Sequence, residues 1–149
     1  MNLNMIYTEN IEGLFTLETN NIDISDCNSD REIISNYGDI LKNRGKENYR
    51  YYCFNYALDN KNIGYLEEAV DILYEDYMKI KKLEDMRKGD IILFYDDDET
   101  LHLAKIIKTN GTIRGTKIRA KFGQLGIYEH LLKDTPYYYG DKFVIFRGR

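Results

Sequence analysis

Arg87-Lys-Gly-Asp-Ile-Ile-Leu-Phe-Tyr95, Asp96-Asp-Asp-Glu99, Leu101-His-Leu-Ala-Lys-Ile-Ile-Lys108 and Asn110-Gly111 follow one another in the chain, and the fold turns on how they are read. The Lys-Gly-Asp turn launches Ile91–Tyr95, a continuous apolar run of the kind found in strands buried on both faces. The acidic turn then hands over to a second strand, Leu101–Lys108. Asn-Gly is the dipeptide most suited to a two-residue hairpin turn, because both positions must take positive φ. Thr112 therefore begins a returning strand that reaches toward Phe122. Counting back through such a turn pairs Thr109 with Thr112 and sets Arg119 opposite His102, unless a bulge at Gly115 shifts the register.

Outward from this hairpin, Gly123-Gln-Leu-Gly126 is a loop leading to Ile127–Lys133. Thr135-Pro136 opens a second loop that carries Tyr137-Tyr138-Tyr139-Gly140. Phe143–Phe146 closes the chain as a last strand. Upstream, Ile63–Leu83 reads as the clearest helix, with Leu66, Ala69, Val70, Leu73, Tyr77 and Ile80 on one stripe and acidic residues opposite. Cys53–Leu58 reads as a short helix behind an aromatic run. Ser29 with Glu32 forms a capping box. Ile33, Ile34, Tyr37 and Leu41 then follow at helical spacing until Gly45 stops the helix. Residues 1–30 read as polar loops with one short strand. Helices come first and antiparallel strands after them, which predicts an α+β fold with a helical N-terminal layer packed on a mostly antiparallel sheet.

The chain has 149 residues, enough for one domain. Residues 1–47 form its N-terminal loops and helix, and 48–147 its core. At 43% hydrophobic and 31% charged it is globular in composition. No run reaches the roughly 18 apolar residues of a membrane span. The first residues carry neither a basic cluster nor a long apolar run, so the expectation is a cytoplasmic protein with reduced thiols and no membrane partner. Two cysteines, Cys27 and Cys53, are too few for a disulfide scaffold. With His102 and His130 they match no close-paired zinc spacing, so neither a metal nor another cofactor is expected. The net charge of −4 is uneven: Leu101–Arg149 holds ten Lys and Arg against three Asp and Glu. That bias suits an anionic ligand, or simply two halves that pack with complementary fields.

Chemistry centres on Cys53 and His102. The first turn of a helix favours a thiolate, and an imidazole can take the thiol proton and return it to a leaving group. The alternative for Cys53 is a small buried hydrophobe, and His102 too can be structural. His130 is the rival base. Tyr51 and Tyr52 could hydrogen-bond an oxyanion or only cover the helix. Asp96–Glu99 lacks the glycine and distal glutamate of a calcium loop and reads as a solvated turn. Asn48–Tyr52 mixes aromatic and basic residues, yet no nucleic-acid motif accompanies it, so nucleic acid is not an expected partner.

The order of a helix-start cysteine, a helix, a Lys-Gly-Asp turn, a buried strand and a histidine-bearing strand resembles the NlpC-like branch of papain-fold cysteine hydrolases. The residues that carry it are Cys53–Leu58, Lys88–Phe94 and Leu101–Ala104. Lys121-Phe122-Gly123 and Tyr139-Gly140 resemble further motifs of an uncharacterised bacterial branch. The resemblance spans about residues 48–147. It implies a papain-like fold in which Cys53 is the nucleophile and His102 the base. The third polar residue is missing from its usual place. Ala120 stands where a serine precedes the Lys-aromatic-Gly motif, which leaves Gln124 or a main-chain carbonyl to serve, or else a weak enzyme or a binding relic. Arg119, Lys121, Tyr51 and Tyr52 would line the binding site.

Two functions follow as expectations. One is a cysteine hydrolase or acyltransferase acting on an amide or thioester of a protein or peptide-like substrate. The other is a catalytically inactive papain-fold module that binds a protein partner or an anionic ligand.

Overall fold

In a computed structural model of the chain, residues 13–17, 29–36, 38–96 and 99–149 are described. Cys27, Asp97, Asp98 and Tyr37 lie outside them. The protein is α+β. Among the described residues eight strands form one open sheet, β1 Phe15–Thr16, β2 Lys42–Gly45, β3 Tyr77–Ile80, β4 Ile91–Asp96, β5 Glu99–Lys108, β6 Lys117–Lys121, β7 Ile127–Leu131 and β8 Lys142–Gly148. The helices are α1 Asp30–Asn36, α2 Cys53–Leu58 and α3 Leu66–Asp76. The sheet order is β1-β8-β4-β5-β6-β7-β2, with β3 also on β8. Among the described residues no helix is long and apolar enough to cross a membrane.

The run Ile91–Tyr95 is β4, an interior strand between β5 and β8. Strand alternation sends its residues to two different cores. Ile92 and Phe94 join Ala104, Ile106, Ile118, Ala120, Phe143 and Ile145 on one face, under Ile33 of α1. Ile91, Leu93 and Tyr95 join Leu103, Val144 and Phe146 on the other, under Cys53, Phe54 and Ala57 of α2 and Ala69 and Leu73 of α3. Both faces being covered is why the run shows no polar alternation. The turn before it is pinned by Asp90, almost fully buried. Its carboxylate accepts from Arg147 Nε and a terminal guanidinium nitrogen, and from the Arg87 main-chain N–H, each at 2.8 Å.

Three expectations are corrected. The helix expected from Ser29 to Gly45 ends at Asn36. Its cap is present, since the Glu32 N–H donates to Ser29 Oγ at 3.2 Å, but Lys42–Gly45 pairs with β7. Gly45 is there for close approach, because a Cβ would sit 2.9 Å from Ile127 Cδ1. The helix expected over Ile63–Leu83 is shorter: Tyr77–Ile80 leaves it to pair with β8. Tyr77 and Ile80 are three apart, a spacing that imitates a helical stripe, and sheet pairing overrides it. Strands are therefore interspersed among the helices of the N-terminal half.

The third correction is the hairpin. Asn110-Gly111 does not form a two-residue turn. Asn110 Oδ1 accepts from Thr112 N–H at 3.1 Å and from its hydroxyl at 2.6 Å, and the hydroxyls of Thr109 and Thr116 bond at 2.7 Å. These side-chain bonds close a longer loop between β5 and β6. The register then pairs Lys105 with Arg119 and Ile106 with Ile118. Arg119 is not opposite His102.

Candidate functional site

Cys53 is the first residue of α2. Asn55 fixes that helix start: its Oδ1 accepts the Tyr52 N–H at 2.9 Å, and its amide donates to Asn60 O and Ile63 O. The thiol is buried, and burial pushes it up to about 11. The nearby charge of Asp30 raises it further, while the main-chain N–H groups of Leu103, Phe54 and Cys53 itself act in the opposite direction. The sulfur is a neutral thiol at neutral pH.

His102 leaves β5 on the other face. Its ring stacks on Tyr139 at 3.8 Å and on Phe94 at 5.9 Å, and it meets Phe122 edge-on at 5.8 Å. All three partners belong to the core opposite that of Cys53 and Leu103. His102 Nε2 is buried and has no hydrogen-bond partner, so it does not bond the thiol. Burial, with His130 as a second cause, pushes the imidazole down to about 3. A thiolate–imidazolium pair needs the reverse of both shifts.

The other expected site residues have their own duties. Gln124 donates to the Tyr49 carbonyl at 2.6 Å and braces a loop. Tyr51 is half-buried beneath Lys61, and Tyr52 is exposed and stacks on Phe54 at 5.3 Å. Lys121 is buried, donating to Gly123 O at 2.9 Å and Leu125 O at 2.8 Å. His130 is buried beside Phe122, and its Nδ1 lies 2.8 Å from Leu131 O. A carbonyl only accepts, so Nδ1 carries the proton.

The glycine motifs nonetheless converge. Gly123 has φ +57°, and a Cβ there would sit 2.4 Å from Asp30 Oδ2. Gly140 has φ +108°, and a Cβ there would sit 2.5 Å from the Tyr95 carbonyl oxygen. These two glycines let Asp30 and the Tyr137–Tyr139 turn press inward, where the Tyr139 hydroxyl donates to Asp30 Oδ1 at 2.5 Å. Burial raises the Asp30 carboxyl, against the hydrogen bond from Tyr139 and the charge of Lys121.

Of a second cluster the sequence reading named only Arg119. Cross-strand partners share a sheet face. Lys105 pairs with Arg119, Arg119 with Glu129, and Glu129 with Lys42, so one row crosses β5, β6, β7 and β2. Lys117 lies in the next row, opposite Leu131. Arg44, in the bulge of β2, reaches the Glu129 carboxylate at 3.1 Å, and Arg119 holds its other oxygen. Glu129 is only 4% exposed. Hydrogen bonds from Arg119 and Arg44 outweigh burial and hold its carboxyl below the usual range. Lys105 lies 4.8 Å above the Tyr56 ring. Two guanidinium groups thus hold one buried carboxylate, with Lys105 and Lys42 in the same cross-strand row and Lys117 in the next. The readable signal was Lys117-Ile-Arg119-Ala-Lys121, basic at every second residue, which on a strand means one face.

Set against known families, curated proteins and solved structures, the chain matches none. Among the described residues no cluster of His, Cys, Asp and Glu could hold a metal ion.

Proposed function

We propose that this chain is a binding module for an anionic ligand, built on a papain-like order of elements and working without thiol chemistry at Cys53. The observation that carries this reading is the basic face on which Arg119 and Arg44 hold Glu129, Lys105 and Lys42 share its cross-strand row, and Lys117 stands in the next. Glu129 neutralises one charge and holds two guanidinium groups rigid, which lowers the ordering cost of binding. Lys42 and Lys117 form no ion pair among the described residues. The whole chain carries −4, so attraction is local and is screened over about 8 Å at physiological salt.

The test is fluorescence polarisation of a labelled heparin oligosaccharide with the full chain at 50 and 200 mM salt. Saturable binding that weakens with salt, is lost when Lys42, Lys105 and Lys117 all become Gln, and survives Cys53→Ala supports the reading. Equal binding by the triple variant sinks it.

The second reading is a cysteine hydrolase acting on an amide or thioester. Three main-chain N–H groups near the Cys53 sulfur and the close approach of Gly123 to Asp30 favour it. It requires His102 to leave its aromatic stack and cross to the face of Leu103. The buried, oppositely shifted thiol and imidazole make it the weaker of the two.

A further inference from the structure

Beside the basic row the sheet holds a hollow of about 290 Å³. Lys42, Lys117, Glu129 and Asp134 line it with charge, Ile40 and Leu131 with apolar surface, and His130 completes the lining. Both carboxylates are already engaged. Glu129 is held by Arg44 and Arg119, and Asp134 accepts from Lys133 Nζ at 3.0 Å. Among the described residues, Lys42 and Lys117 are thus the lining charges without an ion pair.

Lys42 and Lys117 flank β7 from its two sides, one row apart. Two strand spacings of about 4.8 Å and a two-residue step of about 6.7 Å set their Cα atoms roughly 12 Å apart. Two extended lysines reaching inward from that separation can share one anion above Leu131. A dianion matches two point charges better than a carboxylate does, and lysine serves phosphate as a point charge where arginine forks are engaged elsewhere. The hollow lies at the lower end of small-molecule sites in size.

We infer that this hollow is a binding site for a small phosphate monoester, its phosphate between Lys42 and Lys117 and its apolar body on Ile40 and Leu131. This rests on the anion-binding reading above and narrows it to one ligand class at one place. The phosphate dianion predominates above its second pKa of about 6, so binding strengthens as pH rises from 5 to 7.5.

The experiment is a ¹H–¹⁵N NMR titration of the full chain with phenyl phosphate, with inorganic phosphate and with benzyl alcohol. Phenyl phosphate should shift the amides of Ile40, Glu129 and Leu131 saturably and more tightly than inorganic phosphate does. Benzyl alcohol should leave them in place. Lys42→Gln and Lys117→Gln should each weaken phenyl phosphate by about fivefold or more, the loss of one charge-assisted contact. Lys61→Gln, on the α2–α3 loop, should not. Absence of a saturable shift at those amides, unchanged affinity in both variants, or equal affinity for inorganic phosphate overturns the assignment. Heparin binding that persists while phenyl phosphate fails removes this site and leaves the broader reading standing. Loss of both removes the two together.

Discussion

Replacing His102 by Phe should make the protein less sensitive to acid. The imidazole lies between Tyr139 and Phe94 with Nε2 unpartnered, and burial pushes it down to about 3 from an ordinary 6.5. In the unfolded chain it takes a proton as pH falls through about 6.5, whereas in the folded chain it does so only near 3. The unfolded state therefore binds more protons between those values. The stability in question is fully present above pH 6.5 and is lost progressively as pH falls toward 3. At pH 4 this amounts to about 3 kcal/mol for His102. His130, also held low by burial, adds to the loss. Asp30, whose carboxyl is raised, works in the opposite direction in both proteins and drops out of the comparison. Phe keeps the flat ring for the stack and removes the titration. Urea unfolding followed by circular dichroism at pH 7, 6, 5 and 4 reads the slope directly. The parent should lose about 3 kcal/mol more than His102→Phe over that range. Equal losses would mean that the imidazole is solvated or paired in the folded state, and the account of its burial would fail.

Asp90→Ala should destabilise the fold by about 3 kcal/mol, because it leaves the Arg147 guanidinium only the Asp85 carbonyl and strands the Arg87 N–H at the turn that launches β4; thermal unfolding reads the loss. Leu73→Ala, at a fully buried position of α3, should cost about 2–5 kcal/mol in urea unfolding without altering heparin binding. Gly140→Ala must force a side chain to φ +108° and against the Tyr95 carbonyl, so its melting temperature should fall clearly below that of a surface Gly64→Ala control.

The sequence was legible where a local pattern and the tertiary structure agreed. Ile91–Tyr95 is a doubly buried strand and Cys53–Leu58 a helix, as their patterns predict. Legibility failed where local spacing had two meanings. Tyr77 and Ile80 continue the stripe of α3 in sequence but belong to an edge strand, and Gly45 imitates a helix stop while serving a close strand contact. At Asn110-Gly111 the side-chain bonds of Thr109, Asn110, Thr112 and Thr116 compete with the tight turn and win, which moves Arg119 from His102 to Lys105. The candidate thiol site depended on which face of β5 carries His102. One residue decides that, and spacing from Cys53 says nothing about it. The basic row was half visible, because Lys117, Arg119 and Lys121 alternate in sequence. That Lys42 and Arg44 join them across β7 is long-range pairing, which no local pattern records.

The inert thiol is the claim that divides the two functional readings, and the pH profile of Cys53 alkylation tests it most directly. Iodoacetamide labelling of the folded chain, followed site by site by mass spectrometry from pH 5 to 11, should show Cys53 slow at pH 7 and rising only toward about 11. His102→Ala should leave that profile unmoved, since the imidazole sits in the opposite core. Fast labelling below pH 7 that is abolished by His102→Ala would establish a working thiolate–imidazolium pair and contradict the account.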